Sequence, residues 1–276
     1  MEYQYISYEV EEKIACLTAN RPKYRNAQSR KLLEEMDHAF KTAGEDRDVN
    51  IIVLLGAGDH FSGGHDLGST DEAVDREERP RQAGLRGRFD HSREHFVEKS
   101  LRWRNVPKPT IASVQGYCIF AGWMIASAMD IIFAADNAMF LGSNFQYFSL
   151  PWDIQDRKVK EILFESRFID AREALELGAI NRVVPEAQLR DEVMDYAGRV
   201  ARNDPFQLRM IKLAVNQRQD GMGFTNHITS SHAMHILSSE GEKDPDYALK
   251  VPKGKRRPMV QRAFENYELY KQTRDD

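Results

Sequence analysis

The hydrophobic positions of the chain change between two periods, and this change predicts an α/β protein. Tyr5 to Val10 and Ile14 to Ala19 are short strand-like runs around a charged turn, which predicts a hairpin. Residues 29–43 carry apolar side chains at helical spacing. Ile51 to Gly56 is a continuous apolar run that ends in glycine. A run of this kind is typical of a strand that is buried on both faces in a parallel sheet.

The most apolar stretch lies between residues 108 and 130. Ile111 to Val114 predicts a buried strand, Gly116 to Gly122 a tight turn, and Trp123 to Met129 a buried helix. A corner of this kind directs unpaired backbone N–H groups to one point. Such a point can stabilise a developing oxyanion. From this stretch alone, a core corner without chemistry is the alternative.

The later part of the chain has a different pattern. The densely charged segment from Asp71 to Arg88 predicts a solvated surface segment. The alternation of strands and helices ends near residue 185, where a short predicted strand is followed by helical patterns. We therefore predict a boundary there, between residues 1–185 and a helical region at residues 186–276.

Composition and charge exclude several classes of protein. With 276 residues, of which 41% are hydrophobic, the chain can bury a sizeable core. Cys16 and Cys118 lie in apolar contexts, which argues against a disulfide framework and for a reducing compartment. The net charge of -4 gives no general attraction to nucleic acid. Since we find neither a signal peptide nor a membrane-spanning run, we expect a cytoplasmic protein with no nucleic-acid or membrane partner.

A second glycine-bearing loop, Gly58 to Leu67, follows the apolar strand at residues 51–56. Open α/β sheets bind ligands at the ends of their strands. We therefore expect the backbone amides of residues 63–65 to meet those of residues 120–122. Two N–H donors at about 3 Å from a carbonyl oxygen would stabilise an enolate or a tetrahedral oxyanion.

Five groups of residues follow one another along the chain in a recognisable order. They are Asn20-Arg21-Pro22 with Asn26-Ala27, Phe61 to Leu67, Pro107 to Gly116 with Asp130, Ala171 to Gly178, and Asn181 to Pro185. Together they resemble the crotonase superfamily, the enoyl-CoA hydratase/isomerase family. The resemblance implies an α/β fold in which residues 1–185 form a spiral of repeated ββα units. It also implies that residues 186–276 form a helical oligomerisation region, in a homotrimer or homohexamer.

The resemblance implies an acyl-CoA thioester as the ligand, with coenzyme A as part of the substrate and no separate cofactor or metal. The oxyanion donors would be the backbone amides of His65 and Ala121. By the same resemblance or by proximity, the substrate-binding residues would be Lys23, Tyr24, Arg25, Ala27, Gly64, Asp66, Leu67, Gly122, Met124, Asn144 and Trp152. Further candidates are Gln146 and Tyr147 at the acyl group and Lys255 and Arg256 at coenzyme A.

Two positions depart from the family pattern. Hydratases of this family use two glutamates to place water and move its protons. An ungapped alignment puts Met124 and Asn144 at the two glutamate positions. Neither methionine nor asparagine can serve as an acid or base near neutral pH. The sequence therefore predicts thioester activation without the usual pair of catalytic glutamates.

Asp153 is the carboxylate that we expect to replace them. In two divergent branches of the family, the 4-chlorobenzoyl-CoA dehalogenases and the 6-oxocamphor hydrolases, an aspartate at this position is catalytic. Next to Pro151 and Trp152 the carboxyl group would be partly desolvated, which raises its pKa toward the range of a general base. It could also attack as a nucleophile. The alternative is that Asp153 only caps a helix that begins near Ile154.

The histidines leave two further questions open. The His65 ring could contact the ligand or pair with Asp66. His227, His232 and His235 lie on one predicted helix, but no carboxylate stands at a recognised zinc-binding spacing from them. We therefore predict no metal site.

The sequence thus predicts an acyl-CoA-processing lyase of the enoyl-CoA hydratase/isomerase type. One alternative is a hydrolase that cleaves a C–C bond of a β-oxo acyl-CoA (a retro-Claisen reaction), with Asp153 activating water. The other alternative is a non-catalytic homologue that binds acyl-CoA.

Overall fold

The computed structural model describes residues 2–142, 149–240 and 258–275. Asn144, Gln146, Tyr147, Lys255 and Arg256 lie outside these ranges, so their roles stay predictions.

Nine strands of the described residues form two sheets. The larger sheet has the order β1-β2-β3-β4-β6-β9 and the smaller one the order β5-β7-β8. The strands are β1 (Ile6–Glu11), β2 (Ile14–Ala19), β3 (Ile51–Gly56), β4 (Thr110–Val114), β5 (Tyr117–Ile119), β6 (Ile131–Ala135), β7 (Met139–Leu141), β8 (Ile169–Asp170) and β9 (Arg182–Val184). β1 and β2 form the predicted antiparallel hairpin, and the other pairs of the larger sheet are parallel.

The same ranges contain twelve α-helices. They are α1 (Arg30–Glu45), α2 (Thr70–Glu78), α3 (Gly84–Ser92), α4 (Lys99–Arg104), α5 (Ala121–Ser127), α6 (Leu150–Asp153), α7 (Asp156–Glu165), α8 (Ala171–Glu176), α9 (Leu189–Ala201), α10 (Pro205–Gly221), α11 (Phe224–Glu240) and α12 (Pro258–Asp275). A π-helical turn, Arg93–Glu98, joins α3 to α4. None of these helices is long and apolar enough to cross a membrane.

The continuous hydrophobic run of β3 reflects burial on both faces of the larger sheet. Ile52 and Leu54 belong to the main hydrophobic cluster, which includes the apolar side of α1. Val53 and its alternate neighbours belong to a second cluster, which α9 covers through Val193 and Ala197. Because successive side chains of a strand point to opposite faces, every position of β3 must be apolar.

The chain passes repeatedly from the larger sheet to the smaller one and then into a helix. β4 is followed by β5 and α5, and β6 is followed by β7. Residues after β3 enter the smaller sheet through a single bridge between Ser62 and Cys118. The predicted α/β spiral of ββα units is therefore confirmed.

After β9 the described chain is helical, as predicted. The boundary near residue 185 stays a prediction. Beyond it, α9 packs directly on the larger sheet.

The segment from Asp71 to Arg88 lies on the surface, as predicted, because most of its residues are exposed, but much of it is helical and a few of its charged side chains are buried. This segment forms α2 and the first half of α3. Asp75 is only 1% exposed and binds Arg30 at 2.5 Å and Arg79. Much of the charge is therefore held in ion pairs with distant residues such as Arg30, which the local pattern of charges does not reveal.

Arg167 joins the C-terminal helix to the core. Its guanidinium is completely buried and donates to both carboxylate oxygens of Glu173, at 2.8 and 2.7 Å. The same group lies 3.5 Å from the centre of the Tyr270 ring in α12. Removing one partner of a buried ion pair leaves an uncompensated charge, at a cost of about 3–5 kcal/mol.

We therefore expect Arg167→Leu to lower the free energy of unfolding by about 3–5 kcal/mol, measured by urea denaturation. Arg172→Leu is the matched control, because Arg172 is exposed on the neighbouring α8, and its effect should stay within about 0.5 kcal/mol. Equal effects of the two substitutions would contradict the structural role of Arg167.

Candidate active site

The glycine loop and the start of α5 lie against each other. A Cβ atom added to Gly64, whose φ is +88°, would lie 2.8 Å from the Ile119 carbonyl oxygen and 3.6 Å from the Ala121 amide nitrogen. A Cβ atom added to Gly122 would lie 2.6 Å from the Ser62 carbonyl oxygen. Only glycine allows this approach of two backbones. The structure therefore brings together the two loops that the sequence singles out.

Ser62 holds the two loops in register. Its N–H donates to the Tyr117 carbonyl at 2.9 Å, and its own carbonyl accepts from the Ile119 N–H at 3.0 Å. Its hydroxyl donates to the Asn26 carbonyl at 3.0 Å and accepts from the Gly64 N–H at 3.3 Å. Because these hydrogen bonds fix the backbone of both loops, they hold the nearby amides in place, as preorganised donors require.

The start of α5 has an unusual backbone. Phe120 has φ +49° and ψ -111°, a conformation that residues with a Cβ atom rarely adopt. Its N–H donates to the Leu141 carbonyl at 2.7 Å, and its carbonyl accepts the N–H of Met124 at 3.0 Å. The amides of Ala121 and Gly122 precede this first helical bond, so the helix offers them no acceptor. Strain of about 1–3 kcal/mol at one residue is typical of functional sites.

Asp66 stabilises the glycine loop from inside. Its carboxylate accepts from Arg21 at 2.8 Å and from the Ser69 hydroxyl at 2.5 Å. Burial alone would raise its pKa, but the hydrogen bonds from Ser69 and Arg21 outweigh burial and hold the pKa below its ordinary value. The ionised Asp66 side chain is thus buried and hydrogen-bonded to neighbouring residues. The next residue, Leu67, is 56% exposed.

The loop at residues 23–28, which holds the residues predicted to contact coenzyme A, is hydrogen-bonded to the glycine loop. The Gly63 N–H donates to the Arg25 carbonyl, and the Gln28 N–H donates to the Gly64 carbonyl, both at 2.8 Å. Lys23 and Arg25 are exposed and could meet phosphate groups. The four predicted residues of this loop are Lys23, Tyr24, Arg25 and Ala27.

Met124 makes its position apolar. Its side chain is 1% exposed and belongs to the main hydrophobic cluster. A methionine side chain has no proton to donate and accepts none near neutral pH, so position 124 itself supplies no acid or base.

Trp152 joins α6 to α11. Its indole N–H donates to His227 Nδ1 at 3.2 Å, and its ring centre lies 5.3 Å from that of Phe224. The sequence suggested His227 only as a possible metal ligand. Among the described residues, no group of three His, Cys, Asp or Glu side chains could hold a metal ion.

The suggestion that Asp153 only caps the following helix is wrong. Asp153 is the last residue of α6, whereas α7 begins at Asp156 after the N-cap residue Gln155. A short break between the two helices at Ile154 separates Asp153 from the α7 amides that a cap would satisfy.

Asp153 has the electrostatic properties of a proton-transfer group. The Ser149 hydroxyl donates to its carboxylate. Burial raises the pKa of Asp153 from 3.8 to about 6, although the Ser149 hydrogen bond and the charge of Arg104 act in the opposite direction. Because the folded state holds this proton more tightly than the unfolded state, the contribution of Asp153 to stability falls as the pH rises from about 4 to about 6. Asp153 as a whole is nevertheless exposed to solvent, and it lines an open cavity of about 370 Å³.

His65 lines a different cavity, of about 230 Å³. Its ring centre lies 3.9 Å from that of Phe96, in the π-helical turn. In the part of the chain that the structure describes, this cavity and that of Asp153 share no lining residue. α11 reaches both regions, because His227 binds Trp152 and His235 lines the His65 cavity, about 12 Å further along the helix.

The contact between the two loops predicts different effects of two glycine substitutions. Gly122→Ala should lower the free energy of unfolding by about 1–3 kcal/mol, because the added methyl group would overlap the Ser62 carbonyl. Gly63→Ala should cost less than about 1 kcal/mol, because its Cβ atom would meet only Arg25 at 3.5 Å. Urea denaturation of both variants measures the difference. Equal stability of the two variants would show that the loops are not packed as described.

Comparisons with known proteins agree with this fold. Residues 9–243 match the family model described as enoyl-CoA hydratase/isomerase. A Mycobacterium tuberculosis protein named as an enoyl-CoA hydratase, EchA13, is 36% identical over 258 residues, which cover 86% of this chain and 81% of that protein.

Two solved structures are similar as well. One, named as a probable enoyl-CoA hydratase from Mycobacterium thermoresistibile, is 42% identical with a TM-score of 0.78 and covers 84% of this chain and 94% of its own. An enoyl-CoA hydratase/isomerase from Xanthobacter autotrophicus Py2 is 31% identical with a TM-score of 0.78, covering 89% of this chain and 90% of its own. This chain therefore belongs to the enoyl-CoA hydratase/isomerase family of the crotonase superfamily.

Proposed function

We propose that this protein is an acyl-CoA-processing lyase of the hydratase/isomerase type, in which the amides of His65 and Ala121 polarise a thioester carbonyl. The observation that supports this proposal is the close approach of the two loops, since a Cβ atom added to Gly64 would lie 3.6 Å from the Ala121 amide nitrogen. Negative charge develops on the carbonyl oxygen when a proton leaves Cα or a nucleophile adds to the conjugated double bond. Each fixed N–H donor that meets this charge is worth about 3 kcal/mol.

Coenzyme A would enter as part of the substrate. The exposed cations Lys23 and Arg25 support this assignment, because their loop is hydrogen-bonded to the glycine loop and cationic side chains bind phosphate groups. No other cofactor is required by this chemistry.

Proton transfer requires another group, because Met124 is apolar and buried. We assign it to Asp153, as acid, base or nucleophile. A carboxyl group with a pKa of about 6 is mostly ionised at pH 7 and is a stronger base than an ordinary aspartate. Its access to solvent would let it take a proton from water.

A second candidate reaction is hydrolytic C–C cleavage of a β-oxo acyl-CoA. The position of Asp153 in a water-accessible cavity favours it, together with the absence of an acid or base at Met124. Asp153 would accept a proton from water while the oxygen attacks the β-carbonyl. The C–C bond would then break, its electrons would form a thioester enolate at the two amides, and Cα would take up a proton.

A homotrimer or homohexamer is part of the proposal. Exposed apolar side chains on α10 support it, since Phe206 is 66%, Ile211 56% and Val215 54% exposed in the single chain. Clustered apolar side chains of this kind are typical of subunit interfaces.

The test compares crotonyl-CoA hydration with cleavage of a cyclic β-diketone CoA ester. For whichever substrate is turned over, Asp153→Asn should lower kcat by about 10²–10⁴-fold with little change in KM. The wild-type kcat should rise with pH through about 6 and then level off, because the ionised carboxylate is the active form.

Asp156→Asn is the matched control, because Asp156 is exposed in the first turn of α7 and should leave kcat unchanged. Full activity of Asp153→Asn, or a pH profile without a step near 6, would contradict the role of Asp153. Binding of CoA esters without turnover of either substrate would favour the non-catalytic homologue.

A further inference from the structure

We propose that Gln28 determines which acyl group is bound, and that this group carries an uncharged hydrogen-bonding function, a hydroxyl or a carboxamide, further along the chain than the carbon atoms that react. This inference rests on the proposed function, because it takes the acyl chain to run from the thioester at His65 into the cavity that His65 lines. The amide of Gln28 would bind the polar group there.

Gln28 lies directly beside the proposed oxyanion donor. Its N–H donates to the Gly64 carbonyl at 2.8 Å, and its carbonyl accepts from the Asp66 N–H at 3.0 Å. These two bonds form a parallel bridge between Gln28 and His65. Neighbouring strands lie about 4.8 Å apart, so the backbone of Gln28 is one strand spacing from that of His65. Both residues line the cavity of about 230 Å³.

The side-chain amide of Gln28 is buried without a partner. The residue is 2% exposed, and within the described ranges neither its Oε1 nor its Nε2 atom has a hydrogen-bond partner. The oxygen can accept and the nitrogen can donate, so both halves of the amide are unused. Buried polar groups without partners destabilise a protein and are rare in native structures. This exception therefore points to a role in binding.

The other buried polar side chains of the described lining, Asp66 and Glu72, are paired. Asp66 accepts from Arg21 at 2.8 Å, and Glu72 accepts from Arg76 at 2.8 Å. Gln28 differs from both, because its amide keeps its full capacity for hydrogen bonds. A ligand in this cavity therefore gains more from a bond to Gln28 than from competing for either carboxylate.

The Gln28 amide can reach a ligand without breaking an existing hydrogen bond. Its two polar atoms are shielded from bulk water, whereas the residue itself lines the cavity. Rotation about the side-chain torsions moves the amide relative to the cavity. Because the amide makes no hydrogen bond to the described part of the chain, this rotation gives up none.

An uncharged group that both donates and accepts suits the amide best. A hydroxyl or a carboxamide can donate to Oε1 and accept from Nε2, so that both halves of the Gln28 amide are satisfied. A carboxylate offers no donor, an ammonium group offers no acceptor, and an alkyl group offers neither. A site that is built to bind a polar group of its substrate discriminates against an analogue that lacks the group.

Calorimetry with matched CoA esters tests the proposal. 6-Hydroxyhexanoyl-CoA has a hydroxyl group where heptanoyl-CoA has a methyl group. 4-Carbamoylbutanoyl-CoA has a carboxamide where 5-methylhexanoyl-CoA has an isopropyl group. All four lack the conjugated double bond and the β-oxo group on which the proposed reactions act, and all share the same coenzyme A. We expect at least one polar ester to bind about tenfold more tightly than its apolar match.

The variant Gln28→Met keeps the length of the side chain and removes the amide. It should abolish the preference for the polar ester and leave the affinity for the apolar esters unchanged. Its midpoint of urea denaturation should be unchanged or higher, because the free protein loses no hydrogen bond. Gln207→Met is the matched control, because Gln207 is exposed on α10 outside the cavity lining and should keep the full preference.

Equal affinities within both pairs in the wild-type protein would overturn the proposal while leaving the proposed function intact. A preference that persists in Gln28→Met would also overturn it, because another residue would then bind the polar group. So would a clearly lower denaturation midpoint of Gln28→Met than of Gln207→Met, which would show that the amide is already bonded in the free protein. Failure of every ester to bind would refute the proposed function and this inference with it.

Discussion

The close approach of two backbones, at Gly64 and Gly122, is the constraint on which the site depends. A side chain at either position would overlap a carbonyl oxygen of the other loop. The strands position both loops. The glycine loop follows β3, and α5 begins after β4 and β5. Ser62 fixes their register by bonding to both segments. The strained conformation of Phe120 persists because the surrounding hydrogen bonds hold it.

In the proposed mechanism, activation of a carbonyl is separate from transfer of a proton. Backbone amides would supply the first, so that step would not depend on the chemistry of the side chains at positions 65 and 121. The second needs a titratable side chain, and the methionine at position 124 cannot supply it. Asp153 offers a carboxyl group whose pKa is raised by burial, and this environment reduces stability when the group is ionised. A stability cost of this kind is common where a group is tuned for chemistry.

Sequence patterns predicted those features that depend on local periodicity and on backbone conformation. The continuous apolar run at residues 51–56 predicted a strand with two buried faces, and the glycines predicted where the loops meet. The pattern failed where charges pair over long distances: Asp75 is buried because Arg30 reaches it, and no local signal shows that partner. The sequence pattern also left the role of Asp153 open, because an aspartate just before a predicted helix can be a helix cap or a catalytic carboxylate.

The π-helical turn that places Phe96 on the His65 ring has no periodicity by which it could be found, and the link between Trp152 and His227 joins residues far apart in the chain. The first of these contacts involves His65, and the role of the His65 and Ala121 amides as oxyanion donors is the central proposal. A crystal structure with bound pentanoyl-CoA tests that claim most directly. We predict that the thioester oxygen lies about 3 Å from the amide nitrogens of both His65 and Ala121. A bound ester whose carbonyl oxygen contacts neither amide would contradict it.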